Sequence, residues 1–152
     1  MERKLTAIMF TDIVGYSKIM STNEKIGLEL LDSQSELVLP IIKNFNGKIL
    51  KKMGDAFFVD FSSSINAIEC SVEIQKVLKD YNSSKDSGKK LLLRIGLHIG
   101  DVFIKEDDLF GEGINVAARL EPLAEPGGIC MSQAFYDSVK VKSNFSAVRV
   151  GD

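Results

Sequence analysis

Residues 51–61, KKMGDAFFVDF, decide how the chain is folded. Met53-Gly54 is a tight reversal, and the residues flanking it, Lys48 to Lys51 and Ala56 to Phe61, are strand-like. The stretch therefore predicts a β-hairpin with Asp55 near its tip. Upstream, Asn46-Gly47 turns the chain out of a helical segment that begins near Asn23, a plausible N-cap. That segment carries apolar Ile26, Leu30, Leu31, Leu37, Val38, Ile41 and Ile42, and Pro40 is expected to bend or shorten it. Further upstream, Leu5 to Phe10 reads as a buried strand. Downstream, Ile65, Ile68, Val72, Ile74, Val77, Leu78 and Tyr81 mark a second amphipathic helix. Leu91 to Ile99 and Val102 to Ile104 predict a second hairpin around Gly100-Asp101, and a third helix is expected from about Gly113. Strand, helix, hairpin, helix, hairpin, helix is the order of an α+β sandwich: a largely antiparallel sheet with helices on one face, with a ferredoxin-like core as the nearest named arrangement.

The chain has 152 residues, one domain's worth, and 45% of them are hydrophobic, enough for a packed core. Nineteen basic against 21 acidic residues give a formal charge of -2. Nothing in that balance calls for nucleic acid or an anionic membrane as a partner. Cys70 and Cys130 lack metal-ligand spacing and are expected to be reduced, packed thiols of an intracellular, cytoplasmic protein. No apolar run reaches membrane-spanning length, and MERKLTAIMF is too short an apolar stretch for a signal peptide, so a soluble chain is expected. Residues 82–90, NSSKDSGKK, are expected to be a surface loop.

Polar residues stand where a core does not want them. In FTDIVGYS, residues 10–17, Asp12 follows the first strand, and Gly15, Tyr16 and Ser17 lead into a helix whose free amides can face an anion. Alone, Asp12 also reads as a helix cap and Asp55 as a turn residue. As a pair they read differently. If the first strand lies beside the hairpin, both carboxylates sit at one end of the sheet, able to share two ions such as Mg²⁺ or Mn²⁺ that clamp an attacking oxygen and a triphosphate. In DDLFGEGINVAARLE, residues 107–121, Asn115 and Arg119 are four apart and project from one helix face among small residues. This is either a solvated face or an amide and a guanidinium fork aimed at charge on a phosphorus centre.

FTDIVGYS, KKMGDAFF, LRIGLHIGDV and DLFGEGINVAARLE, in this order between Phe10 and Glu121, resemble the catalytic domains of the class III adenylyl and guanylyl cyclases. PGGICMS, residues 126–132, is similar to the family's strand after the third helix. The resemblance implies a ferredoxin-like core working as a homodimer, with two active sites in the interface and two ions, Mg²⁺ or Mn²⁺, in each. It matches Asp12 and Asp55 to the metal-binding aspartates and the Ile13 carbonyl to a further metal ligand, with Gly15 and Tyr16 beside the substrate. It matches Lys51 to the purine-reading lysine, Asp108 to its acidic companion, and Asn115 and Arg119 to the groups that orient the ribose and brace the α-phosphate. Arg94 matches an arginine that some members use on the triphosphate, whereas His98 reads as structural and Lys52 as a solvated neighbour.

A Lys donor and an Asp acceptor complement adenine N1 and its amino group, and guanine reverses both, so the pair points to ATP. The implied reaction turns ATP into 3′,5′-cyclic AMP and pyrophosphate without a protein nucleophile, and no side chain stands out as a general base. A guanylate cyclase and a catalytically weak nucleotide-binding dimerisation module are the alternatives. The family's domain continues into a strand carrying a triphosphate lysine, whereas this chain ends at SAVRVGD; residues 1–152 are expected to be a catalytic domain truncated at its C-terminus.

Overall fold

The computed structural model describes residues 2–106, 108–140, 147 and 151. In the first strand, β1 (Glu2–Ile13), residues 7–10 form a continuous apolar run because they are covered on both faces. Ala7, Met9 and Ile13 enter one core, and Ile8 and Phe10 the other. The first helix, α1 (Tyr16–Thr22), leads to α2 (Glu24–Asn44), and Asn23 caps α2 as predicted, its side chain accepting from the Ile26 amide at 3.3 Å. Pro40 lies inside α2 and does not shorten it. Next come β2 (Lys48–Met53), β3 (Ala56–Phe61) and α3 (Ser64–Asn82). Then follow β4 (Leu93–Lys105), β5 (Asp108–Phe110), α4 (Glu112–Leu120), β6 (Ile129–Met131) and α5 (Gln133–Val139).

Six strands form one sheet in the order β2-β3-β1-β4-β5, and β6 adds a short parallel pairing to β4. All other pairings are antiparallel. The fold is α+β, as predicted, but the helices are not confined to one face. The main core lies on the face covered by α2, α3 and α5, through Leu30, Val38, Ile42, Ile68, Ile74, Phe135 and Val139. On the opposite face a smaller core of Ile8, Phe58 and Val102 is covered by Ile114 and Ala117 of α4. Among the described residues no helix is long and apolar enough to cross a membrane. Both cysteines are free; burial pushes the Cys70 thiol up to about 12.

Two local expectations, about β1 and β4, are corrected. The first strand runs on past Phe10, because pairing with β4 continues to Ile13 opposite Leu93, so Asp12 stands inside the strand. There is no hairpin at Gly100-Asp101; β4 runs straight through, with Gly100 opposite Thr6 and Asp101 opposite Leu5. That glycine serves close packing, since a Cβ there would lie 3.2 Å from the Cα of Gly113 in α4. The reversal comes later, between Lys105 and Asp108, where Glu106 takes φ 56°. Residues 146–152, at which the domain was expected to be truncated, lie largely outside the described residues.

Candidate active site

The hairpin of β2 and β3 closes through Gly54-Asp55, between Met53 and its partner Ala56, and Gly54 takes φ 60°, which glycine tolerates without steric cost. Because β3 pairs with β1, this tip comes to rest beside the end of β1. The Ile13 amide donates to Asp55 Oδ2 at 2.8 Å. Asp12 and Asp55 are thus at one end of the sheet, as the sequence predicted. Burial pushes the Asp55 carboxyl upward, two backbone hydrogen bonds counter it, and the nearby Asp12 charge pushes it up again. The phenol of Tyr16, which starts α1 after left-handed Gly15 (φ 70°), is raised by burial and then by the charges of Asp55 and Glu24. Arg94 is opposite Asp12 in the β1–β4 pairing, and its Nε donates to the Ala124 carbonyl at 2.8 Å.

Two residues at this end were not singled out by sequence. Glu121 begins a 3-10 turn (Glu121–Leu123) after α4, is only 3% exposed, and its Oε1 has no hydrogen-bond partner. Its carboxyl is pushed up to about 8, by burial first and then by a hydrogen bond and the charge of Asp12, with Arg94 pulling the other way. Burial and the neighbouring Asp12 charge both disfavour the ionised form of Glu121. Nothing in the sequence marks it, since a glutamate at a helix end before Pro122 looks solvated. Gln34 is 1% exposed, and its Nε2 donates to the Asp55 carbonyl at 3.0 Å. Its signal was available: a polar residue within the buried stripe Gly27, Leu30, Val38 and Ile42 of α2.

Glu121 couples folding to pH. A carboxyl raised from 4.5 to about 8 binds its proton more tightly when folded than when unfolded. Stability is therefore lost as pH rises through that window and levels off above it. In chelator-treated protein, Glu121→Gln should remove this fall and stabilise the chain at pH 8 by about 1–4 kcal/mol relative to pH 4.5. Paired thermal melts across the range measure the difference; parallel curves would contradict it.

Lys51 and Asp108 belong to the two edge strands, β2 and β5, yet Lys51 Nζ is 3.5 Å from Asp108 Oδ1. The sheet must curl for its edges to meet. A cleft of about 360 Å³ lies inside that curl, lined by Leu50, Lys51, Ile104, Glu106 and Leu109. A bulge between Ile49 and Lys51 sets the lysine opposite Phe58, on the same face as Phe10, whereas Lys52 falls opposite Phe57, 5.5 Å from its ring. Asn115 and Arg119 are both exposed on α4, one turn apart. No hydrogen bond among the described residues ties either to Asp12 or Asp55. His98 shares a 2.7 Å hydrogen bond with Ser132, whose oxygen also accepts from the Phe135 amide, so it links β4 to α5.

The donor set can be tested against a metal. Among the described residues no group of three His, Cys, Asp or Glu side chains is disposed to hold an ion. Two carboxylates plus the nearby Ile13 carbonyl are an all-oxygen set too small for a closed cage. It suits a hard cation that keeps water and takes its remaining ligands from phosphate.

The chain matches the adenylate and guanylate cyclase catalytic domain over residues 2–152. A Rhizobium meliloti protein provisionally named adenylate cyclase 3 is 36% identical over 150 residues, 98% of this chain and 26% of that protein. A receptor-type guanylate cyclase of Caenorhabditis elegans is 28% identical over 149 residues, 88% of this chain and 14% of its own length. The chain therefore spans about a quarter or less of these curated relatives. The crystal structure of an adenylate/guanylate cyclase/hydrolase from Silicibacter pomeroyi superposes with a TM-score of 0.91 at 34% identity, over 99% of this chain and 88% of that one. A match running from residue 2 to residue 152, on a fold shared this closely, means that the chain belongs to the family of adenylate and guanylate cyclase catalytic domains.

Proposed function

We propose that residues 1–152 form the catalytic domain of an adenylate cyclase, which converts ATP to 3′,5′-cyclic AMP and pyrophosphate as a homodimer. The observation that carries this reading is the pair Lys51 and Asp108, 3.5 Å apart beside an apolar cleft. A lysine donor for adenine N1 and a carboxylate acceptor for its amino group stand together where a planar base can enter. Asp12, Asp55 and the Ile13 carbonyl would hold two Mg²⁺ or Mn²⁺ ions. When bound, such ions neutralise the triphosphate and make the ribose hydroxyl more acidic. Gly15 and Tyr16 would flank the phosphates. Asn115 would orient the ribose, and Arg119 would brace the α-phosphate as charge builds on it. Arg94, anchored through Nε, would point its remaining guanidinium donors toward the triphosphate. In the reaction the ribose 3′-oxygen bonds to the α-phosphorus, its proton is released, and the bond to the β-phosphate oxygen breaks.

Base choice is directly testable. Exchanging Lys51→Glu together with Asp108→Cys replaces the donor that suits adenine N1 by an acceptor for guanine N–H. The ratio of kcat/KM for GTP to that for ATP should rise by about tenfold or more. A ratio moving toward ATP would remove Lys51 and Asp108 from the base site.

A further inference from the structure

The buried stripe of α2 is apolar except at Gln34, and the one polar side chain in it is aimed at the carbonyl of Asp55. A carboxamide this deeply buried is costly unless its hydrogen bonds are made. The bond it makes lies where the β2–β3 ladder has ended, since Met53 opposite Ala56 is the last pair before the Gly54-Asp55 tip. The tip is consequently fixed at two further points: its carbonyl by Gln34 from the helical layer, and its carboxylate by the Ile13 amide from β1. Those two bonds leave the Asp55 side chain little freedom to turn away from Asp12. We infer that Gln34 is a positioning residue for the metal site, holding Asp55 from behind through its backbone so that the carboxylate is set before an ion arrives. Gln34 touches neither substrate nor metal in this role. It acts as the outer partners of metal-binding carboxylates do, by fixing the ligand's orientation. It also ties α2 to the chemistry, because a shift of that helix along its axis would pull on the Asp55 peptide.

The inference rests on the proposal that Asp12 and Asp55 bind divalent ions, and the experiment separates the two. Mn²⁺ alone is titrated into wild type, Asp55→Asn, Gln34→Met and Val38→Ala, with free Mn²⁺ read by electron paramagnetic resonance and melting temperature recorded on the same samples. Val38→Ala trims the same buried stripe one turn further on and controls for loosening of the core. Gln34→Met, which keeps the shape but not the donor, should weaken Mn²⁺ binding by about tenfold. Val38→Ala should lower the melting temperature and leave the affinity unchanged. Wild-type affinity in Gln34→Met, or equal losses in both core variants, would overturn the positioning role. Failure of wild type to bind Mn²⁺, or undiminished binding by Asp55→Asn, would instead remove the metal site itself, and the inference with it. Should Gln34→Met not fold, the wild-type chain still decides. On Mg²⁺ titration the Gln34 side-chain amide should shift in nuclear magnetic resonance spectra with the same midpoint as the Asp55 backbone amide. An amide that does not move would sink the idea.

Discussion

Asp55→Asn is expected to lower cyclic nucleotide formation by at least about a thousandfold while leaving the fold in place. The two halves of that expectation have separate causes. The structural role of the side chain is to accept the Ile13 amide at 2.8 Å, and the asparagine oxygen can accept the same bond. The backbone of residue 55 remains held by Gln34, so the tip has no reason to rearrange. What asparagine cannot supply is negative charge. Asp55 already resists ionisation through burial and through Asp12, so the site gathers charge at a cost that a divalent cation would offset. On the proposed reading, removing one carboxylate halves the anionic donor set and weakens the hold on the cations that would neutralise the triphosphate. Steady-state turnover measured up to saturating Mn²⁺, with circular dichroism as a check on folding, decides the point. Near-wild-type turnover at high Mn²⁺ would contradict the two-metal reading.

The second large effect concerns the homodimer. Asn115 and Arg119 stand exposed on α4, with no described hydrogen bond to the Asp12 end of their own chain. In the proposed dimer one protomer supplies Asp12 and Asp55 to a site, and its partner supplies Lys51, Asp108, Asn115 and Arg119. Asp12→Ala and Arg119→Ala should each be inactive alone. Mixed in equal amounts and allowed to exchange, they form heterodimers in which one site has lost both groups and the other keeps both. Random pairing of independent sites then restores about a quarter of wild-type activity per protein. A chain carrying both substitutions, mixed with wild type, builds heterodimers without an intact site and controls for trivial rescue. No recovery in a mixture shown to exchange would mean that each site is built within one chain.

The parts of the molecule that could be read from sequence are those governed by short-range rules. The hairpin tip, read at Met53-Gly54 and found one residue later at Gly54-Asp55, Asn23 ahead of an amphipathic stripe, and Asn115 with Arg119 one helical turn apart are each fixed by neighbours within a few residues. Gly100 misled because a glycine beside an aspartate signals a turn, whereas here it makes room for Gly113, a contact between β4 and α4 that no local pattern encodes. Lys51 and Asp108 could be paired only by resemblance. Their meeting depends on the curl of the whole sheet and on the bulge after Ile49, and neither has a sequence signature. Glu121 was hidden for a similar reason: its burial comes from α4 crossing β4 at Gly96, where a Cβ would lie 2.8 Å from the Glu121 nitrogen. Gln34 was legible in principle, as a polar break in an apolar stripe, but its target lies 21 residues away.

On the proposed reading, this chain makes cyclic AMP from ATP at a metal site built on Asp12 and Asp55. The most direct measurement incubates the purified chain with α-³²P-labelled ATP, and separately with labelled GTP, in Mg²⁺ or Mn²⁺, and separates the products chromatographically. Labelled 3′,5′-cyclic AMP with equimolar pyrophosphate, dependent on the divalent ion, lost in Asp55→Asn and exceeding cyclic GMP formation, is the predicted result. Cyclic GMP as the main product, or product formation undiminished by chelator, would contradict it.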